Sequence, residues 1–448
     1  MANKINKIDV VTVADYIRNE WPIYADYDNR RALPHLIDGL KTTHRKIIHT
    51  CLSMPKSDMP RVSQLASKAS EMTAYHHGEA SMMTSIVGLA QDFPGANNVP
   101  WLAKQGQFGT RLSNKSGGYR YIHTKLNENW HNMFKKEDQE IVNYLYDDND
   151  RIEPEYFIPV IPTILLNPGE GIGNGYKSDI LGYNTADVVK ACKEVLKYGK
   201  VKTPLVPYIK NWHGTIEKED RQVLMTGVMK IVNTTRIEIT ELPPKYDNDK
   251  FKKVLNALLD DKSIKDYHNM STEDGWKWII ECPREFSAKG VEELSKVFKL
   301  TEKMTENFVF WSPESEAPVT VSSPEEVVEM WYKLRIPLYA KSLAHQIESI
   351  TADIVAADLK ARFIEWCLTV DFKTFTKQEF IDKAVAGVEG LLEDKANTFV
   401  ALPMYRITKD EVKKLEDEMH ALLNTLDALE ALTPELMMEQ NLKTVKAA

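Results

Sequence analysis

The sequence predicts a multidomain α+β protein, and three textures along the chain predict it. Residues 1–150 mix short helical patterns with Gly-rich turns, residues 151–320 alternate strand-like and helical stretches, and residues 321–435 carry long capped helical patterns. At 448 residues the chain has room for two to four domains of roughly 100–200 residues each. Residues 436–448 read as a tail.

In the first region, Leu36 to Leu52 reads as a helix with Ile37, Leu40, Ile47 and Ile48 as its apolar positions. Gly106 to Gly118 (GQFGTRLSNKSGG) is too rich in Gly and Ser for a helix and predicts a loop or hairpin whose backbone can approach a ligand. In the second region, Phe157 to Leu166 is an apolar, strand-like run, and Arg236 to Leu242 alternates at period two as a half-buried strand should. Thr185–Lys197 and Lys250–Leu259 predict helices, so this region is mixed α/β. In the third, Ser323-Pro324-Glu325-Glu326 is a capping box with Pro at the first helical position. A long helix starts there, kinked at Pro337, with Leu343, Ile347, Ile350 and Ile354 on one stripe. A second capping box, Thr408 with Glu411, opens a helix that stops near Pro434. Its apolar residues Val412, Leu415, Met419, Leu422, Leu426 and Leu429 follow coiled-coil spacing. Two long helices around the compact segment Thr369–Pro403 predict an antiparallel coiled-coil arm with a small globular tip.

Apolar residues at 43% and charged residues at 27% are ordinary for a soluble globular chain. No apolar run approaches the roughly 20 residues needed to span a bilayer, and the N-terminus lacks the apolar core of a signal peptide. Cys51, Cys192, Cys282 and Cys367 are far apart and read as free buried thiols in a reducing cytoplasm. The formal net charge of −8 argues against a polyanionic partner, but its distribution argues for one. From Arg30 to Lys125 there are 13 Lys and Arg against 5 Asp and Glu, and six of the 11 histidines lie in the same span. Clustered cations of this kind are the footprint of phosphate contacts; the alternative is a solvated face with a chance excess of Lys.

Within that span, Gly118-Tyr119-Arg120-Tyr121-Ile122 sets tyrosines beside an arginine in a Gly-flanked segment. A phenol has a free pKa of about 10 and needs activation to attack phosphorus, and a neighbouring guanidinium stabilises both phenolate and a pentacovalent phosphate. On chemistry alone Tyr119 and Tyr121 are equally eligible. Tyr75-His76-His77-Gly78-Glu79 lacks the spacing and the Cys partners of a zinc site, so no metal ligands are assigned. Arg31, Lys41, Arg45 and Lys46 recur near a turn and read as a phosphate-contacting helix or as a solvated face. The glycines of Pro168–Gly175 do not fit G-x-G-x-x-G, and no GxxxxGK[ST] loop or G-x-S-x-G elbow is present.

Together these segments resemble the breakage–reunion part of type IIA DNA topoisomerases. Asn29-Arg30-Arg31-Ala32-Leu33-Pro34 through Asp38-Gly39-Leu40-Lys41 and Arg45-Lys46 is similar to the opening signature of that family. Ala74–Glu79 resembles its histidine motif, and Gly106–Arg111 its loop before the active tyrosine. Arg120-Tyr121 matches the Arg-Tyr pair, and Ile161–Gly175 resembles the segment whose isoleucine wedges between base pairs. Asn211–Glu217 and Leu402–Lys409 extend the likeness, so it covers nearly the whole chain in order. Within the family the likeness leans to the medium subunit of T-even-like bacteriophage topoisomerases, with motif spellings near the eukaryotic enzyme. Gly117-Gly118-Tyr119 and Lys104-Gln105 depart from the usual residues around the active tyrosine.

The resemblance implies a winged-helix domain over 1–150, an α/β tower domain over 151–320 and a coiled-coil arm over 321–435 that closes a dimer. It implies Tyr121 as nucleophile, Arg120 and His77 as catalytic companions, DNA contacts from Arg31, Lys41, Arg45, Lys46 and His76, and Ile172 as the wedge. It further implies double-stranded DNA as substrate and transient double-strand breaks through 5′-phosphotyrosyl links. Mg²⁺ and ATP are expected on a separate, larger partner protein of the same enzyme, and the location is the cytoplasm, that of a bacterial host if the chain is phage-encoded. Lacking room for a DNA-wrapping domain, the chain is expected to relax and decatenate. A non-catalytic DNA-bending relic and a tyrosine recombinase are the alternatives; the Arg120-Tyr121 pair with His77 speaks against the first, and the absence of a dispersed Arg/His constellation against the second.

Overall fold

The computed structural model describes residues 11–219, 221–371 and 374–446. Contacts divide it into two compact units, one reaching to Arg335 and taking in the residues from Glu439, the other spanning Ile336–Met438.

The first unit begins with a helical run that ends as the helix Trp21–Ala32. The helix expected over Leu36–Leu52 is shorter, Thr42–Leu52. Gly39 is the reason: it turns at φ +67°, and its backbone lies so close to Ile164 that a Cβ would sit 2.5 Å from the Ile164 Cα. Helices Val62–Met72 and Glu79–Ala90 follow, then a two-stranded antiparallel ribbon of Leu102–Gln105 with His123–Leu126. Leu33, Leu36, Ile47, Ile48, Leu65, Met82 and Ile86 close the space between these elements. Trp130 stacks on Phe134 at 3.7 Å between ring centroids and meets Trp101 and Phe157 edge-on, which anchors the ribbon's far side.

Phe157–Leu166 is buried but is not a strand; only Thr163–Leu165 is regular, as one 3₁₀ turn. Pro159 and Pro162 have no N–H to give a ladder. Other donors go elsewhere than a ladder: Phe157 N–H to Asp38 Oδ2 at 3.0 Å, Ile158 N–H to Gln139 Oε1 at 3.0 Å and Val160 N–H to Met133 O at 2.8 Å. The Gly-rich stretch after it forms a hairpin, Gly169–Ile172 with Lys177–Ile180. Helix Thr185–Tyr198 is capped by the Asn184 side chain and ended by Gly199 at φ +75°. A four-stranded antiparallel sheet contains Arg236–Glu241 at an inner position and packs on helix Asn248–Asp260 through Ile237, Ile239, Phe251, Leu255 and Trp278. A separate three-stranded sheet holds Gln222–Thr226 at its centre. The helix opened by Pro324 runs to Thr369 with Pro337 inside it, and the boundary between the two compact units falls just before that proline.

In the second unit, the helix residues beyond Pro337 run antiparallel to Lys409–Glu430: Lys360 pairs with Glu411 at 3.9 Å, and Thr351 and Leu422 line the same groove. Helices Lys377–Gly387 and Glu393–Phe399 cap that end, and Phe363, Ile364, Ile381, Ala384, Val412 and Leu415 share one core. Further along, Met419, Leu422, Leu426 and Leu429 are only half-buried, so one chain leaves their stripe partly open. The expected tail over 436–448 includes most of a helix, Pro434–Thr444, with Met438 and Leu442 buried. Among the described residues no helix is long and apolar enough to cross a membrane.

Candidate functional site

Tyr121 is displayed by a loop that is fastened on both sides. Ile122 is buried, and its carbonyl accepts from Val62 N–H at 3.0 Å, while the Tyr119 carbonyl accepts from Ser63 N–H at 3.3 Å. The strand that follows is tied in by Thr124 N–H to Pro60 O at 3.0 Å. Upstream, Gln91 Nε2 donates to the carbonyls of Phe108 and Asn114, and Gly117 N–H to Gln107 O. Arg111 enters the interior, donating to Asn211 O at 2.8 Å and pairing with Glu241 at 3.4 Å. With its neighbours held, Tyr121 N–H closes a turn onto Gly118 O at 2.8 Å, and the residue is left 74% exposed. Tyr119 is different: it is half-buried and its hydroxyl lies 3.4 Å from Thr84 Oγ1. Arg120 is exposed and, among the described residues, unpaired.

A second displayed residue is Ile172, 77% exposed. Side chains alternate along a strand, so its flanking residues point the opposite way. Both are glycines pressed on the helix Trp21–Ala32: a Cβ on Gly171 would lie 2.6 Å from Ala32 O, and one on Gly173 would lie 2.2 Å from Asn29 Oδ1. The hairpin therefore lies flat on the helix end and turns Ile172 outward.

The same helix reaches the histidine segment. Ala74, at φ 46°, ends the helix Val62–Met72 and leads Tyr75 to Gly78 out of regular structure. His77 Nε2 lies 3.3 Å from the Tyr27 hydroxyl, and its ring meets Tyr75 edge-on at 5.3 Å. Its pKa is held below the ordinary 6.5 by desolvation first, then by the positive charges of Arg31, His76 and Lys46. His76 is exposed beside it. Arg31 is half-buried and bonded to Asp28 at 3.3 Å. Lys41 is half-buried too, with desolvation lowering its pKa and Glu170 opposing that. Thus Arg31, Tyr27 and His77 come together, whereas no hydrogen bond or ion pair among the described residues joins them to Arg120 or Tyr121.

The family model for the A-type chain of DNA gyrase/topoisomerase IV matches residues 31–444. The chain belongs to that family. It is 35% identical to chicken (Gallus gallus) DNA topoisomerase 2-alpha over 364 residues, 79% of this chain and 23% of that protein. Against human (Homo sapiens) DNA topoisomerase 2-alpha it is 34% identical over 364 residues, 79% of this chain and 24% of that protein. The chain thus spans about a quarter of the length of these curated relatives. A crystal structure of the Plasmodium falciparum topoisomerase II DNA-binding, cleavage and re-ligation domain superposes with TM-score 0.89 at 29% identity, covering 96% of this chain and 63% of that one.

Two expected DNA contacts of this gyrase/topoisomerase IV family member sit elsewhere than the sequence suggested. Arg45 is buried, donating from Nε to Asp38 Oδ2 at 3.0 Å and from Nη2 to Leu40 O at 3.0 Å. Lys46 is buried as well, bonded to Glu153 at 2.9 Å and to the Thr73 carbonyl. Their charges are satisfied internally, as buried charges must be. Tyr27 and Asn29 were missed as site residues. Tyr27 carried no signal, and Asn29 stood only as a letter in a motif. Among the described residues no group of three or more His, Cys, Asp or Glu is gathered to hold a metal ion.

Proposed function

We propose that this chain is the DNA-cleaving and rejoining component of a type II topoisomerase. The observation that carries the reading is the displayed Tyr121, 74% exposed on a loop fastened at both ends, with exposed Arg120 beside it. The family membership and the likeness to a DNA-binding, cleavage and re-ligation domain support it.

In this reading the Tyr121 oxygen attacks a backbone phosphorus and the 3′-oxygen of the neighbouring nucleotide leaves. One phosphodiester is exchanged for a 5′-phosphotyrosyl ester, the phenol gives up its proton and the leaving oxygen takes one. Because ester replaces ester, resealing is the same step reversed and needs no energy source. Arg120 stabilises the charge that builds on the phosphate in flight. His77 with Arg31, and His76 and Lys41 beyond them, hold the strand. Ile172 inserts between base pairs and trades stacking for a bend, as other apolar wedges do.

The helices Thr42–Leu52, Val62–Met72 and Glu79–Ala90 with their ribbon form the winged-helix part of residues 1–150; 151–320 form the tower and 321–435 the arm. The half-open stripe Met419–Leu429 suits self-association as a dimer, so that two tyrosines cut opposite strands. A large partner subunit supplies the ATPase and the Mg²⁺ site, and the assembly passes a second duplex to relax and decatenate DNA. The likeness to the medium subunit of T-even-like bacteriophage topoisomerases suggests a phage source and hence a bacterial cytoplasm.

The test is cleavage of supercoiled plasmid by the chain mixed with Mg²⁺ and its candidate partner, trapped with denaturant. Linear DNA carrying protein on its 5′ ends, lost in Tyr121→Phe, supports the reading. Adducts that persist in Tyr121→Phe move the nucleophile to Tyr119, and binding without adducts by either protein leaves a DNA-bending scaffold.

A further inference from the structure

We infer that Asn29 is a positioning residue for the Ile172 wedge, setting the height of the hairpin tip by clamping the backbone of Asn174. The inference rests on the reading of Ile172 as the wedge. Asn29 is 5% exposed, so its amide has no water to turn to. Its Oδ1 accepts from Asn174 N–H at 2.8 Å, and its Nδ2 donates back to Asn174 O at 3.4 Å. One side chain thus satisfies both backbone groups of a single residue, two positions beyond Ile172.

The tip needs such a clamp. The hairpin has only two strands, and a two-stranded ribbon is marginal by itself in water. Its base is held by Asp179 and Asn307, which exchange backbone hydrogen bonds of 2.9 and 2.7 Å. At the tip, Gly173 N–H closes on Tyr176 O at 2.9 Å, and the described bonds from there to the body of the unit come from Asn29. An apolar wedge pushed between stacked bases experiences a restoring force, and a tip free to swing back would lose the bend. Asn29 also lies on the helix that carries Tyr27 and Arg31, so the wedge and the His77 cluster share one rigid support.

The test measures bending by energy transfer between dyes at the two ends of a duplex bound to the full chain, for wild type, Ile172→Ala, Asn29→Ala and the double variant. The clamp predicts that Asn29→Ala lowers the bent fraction roughly tenfold, as losing a buried hydrogen-bond pair should, with DNA affinity changed much less. It further predicts that the double variant is no worse than Ile172→Ala, because a clamp without a wedge has nothing to hold. Gly173→Ala serves as an independent variant should Asn29→Ala fail to fold: its methyl would displace the tip from an intact Asn29, and it should fall to the same level. If Ile172→Ala removes the bend but Asn29→Ala and Gly173→Ala keep it, or if the losses add, the clamp is overturned while the wedge stands. If Ile172→Ala itself bends DNA as wild type does, wedge and clamp fall together.

Discussion

Arg45 and Asp38 form an enclosed ion pair, Nε to Oδ2 at 3.0 Å, with 5% and 0% of their side chains exposed. Asp38 also accepts from the Leu40 and Phe157 N–H groups, so one carboxylate ties a turn, a helix and a distant loop together. Asp38→Ala strands a buried guanidinium and two amides. It should cost about 3–5 kcal/mol, read as a lower urea midpoint. A loss under ~1 kcal/mol would mean that water reaches the pair.

Salt dependence separates buried cations from surface ones. Arg45→Met and Lys46→Met should leave the slope of log affinity against log salt unchanged, since neither charge meets phosphate in this arrangement. Arg120→Ala should lower the slope by about 0.9, the contribution of one neutralised phosphate. A shallower slope for Lys46→Met would place that amine on DNA after a rearrangement.

Loop anchoring should be separable from chemistry. Arg111→Met leaves Glu241 without its cation, though His213 and Leu242 N–H still donate to that carboxylate. Cleavage should fall by about tenfold or more through misplacement of Tyr121. Its pH dependence should stay that of wild type, and an altered profile would argue for a direct part in the reaction.

His77 should stay neutral to lower pH than an ordinary histidine, because its partial desolvation and the Arg31 charge disfavour its proton. If cleavage needs neutral His77, the acid limb of the single-turnover rate lies below pH 6.5. Arg31→Gln removes a positive neighbour, raises the His77 pKa and moves that limb upward. An unmoved limb would uncouple the two residues.

Acid should destabilise the first unit through His35, buried against Tyr156 at 5.0 Å between rings and held well below its ordinary pKa by burial, then by Arg45 and Arg30. The depressed value makes the unfolded chain bind the extra proton, so stability is full above about pH 6.5 and falls as pH drops beneath it, by up to ~1.4 kcal/mol per unit. His35→Gln should remove about one proton from that slope; an unchanged slope would place the titration elsewhere, for instance at His44, whose pKa is lowered to about 3.

Much was legible in the sequence because it is written locally. The capping boxes at Ser323 and Thr408, the period-two strand at Arg236 and the heptad from Val412 all depend on neighbours within a few residues. So does the Gly-rich character of the loop before Tyr121, and motif order alone pointed to the family. Tertiary structure decided the rest. Phe157–Leu166 looked like a strand, but donors of it were taken by Asp38, Gln139 and the Met133 carbonyl, which only the fold brings near. Arg45 and Lys46 carry the same letters as surface cations; burial beside Asp38 and Glu153 makes them struts. Tyr119 and Tyr121 are chemically alike, and what separates them is that one hydroxyl faces Thr84 while the other ring faces solvent. A charge or a phenol has no function by itself; the function follows from which side of the surface its neighbours leave it on, and residues far away along the chain settle that.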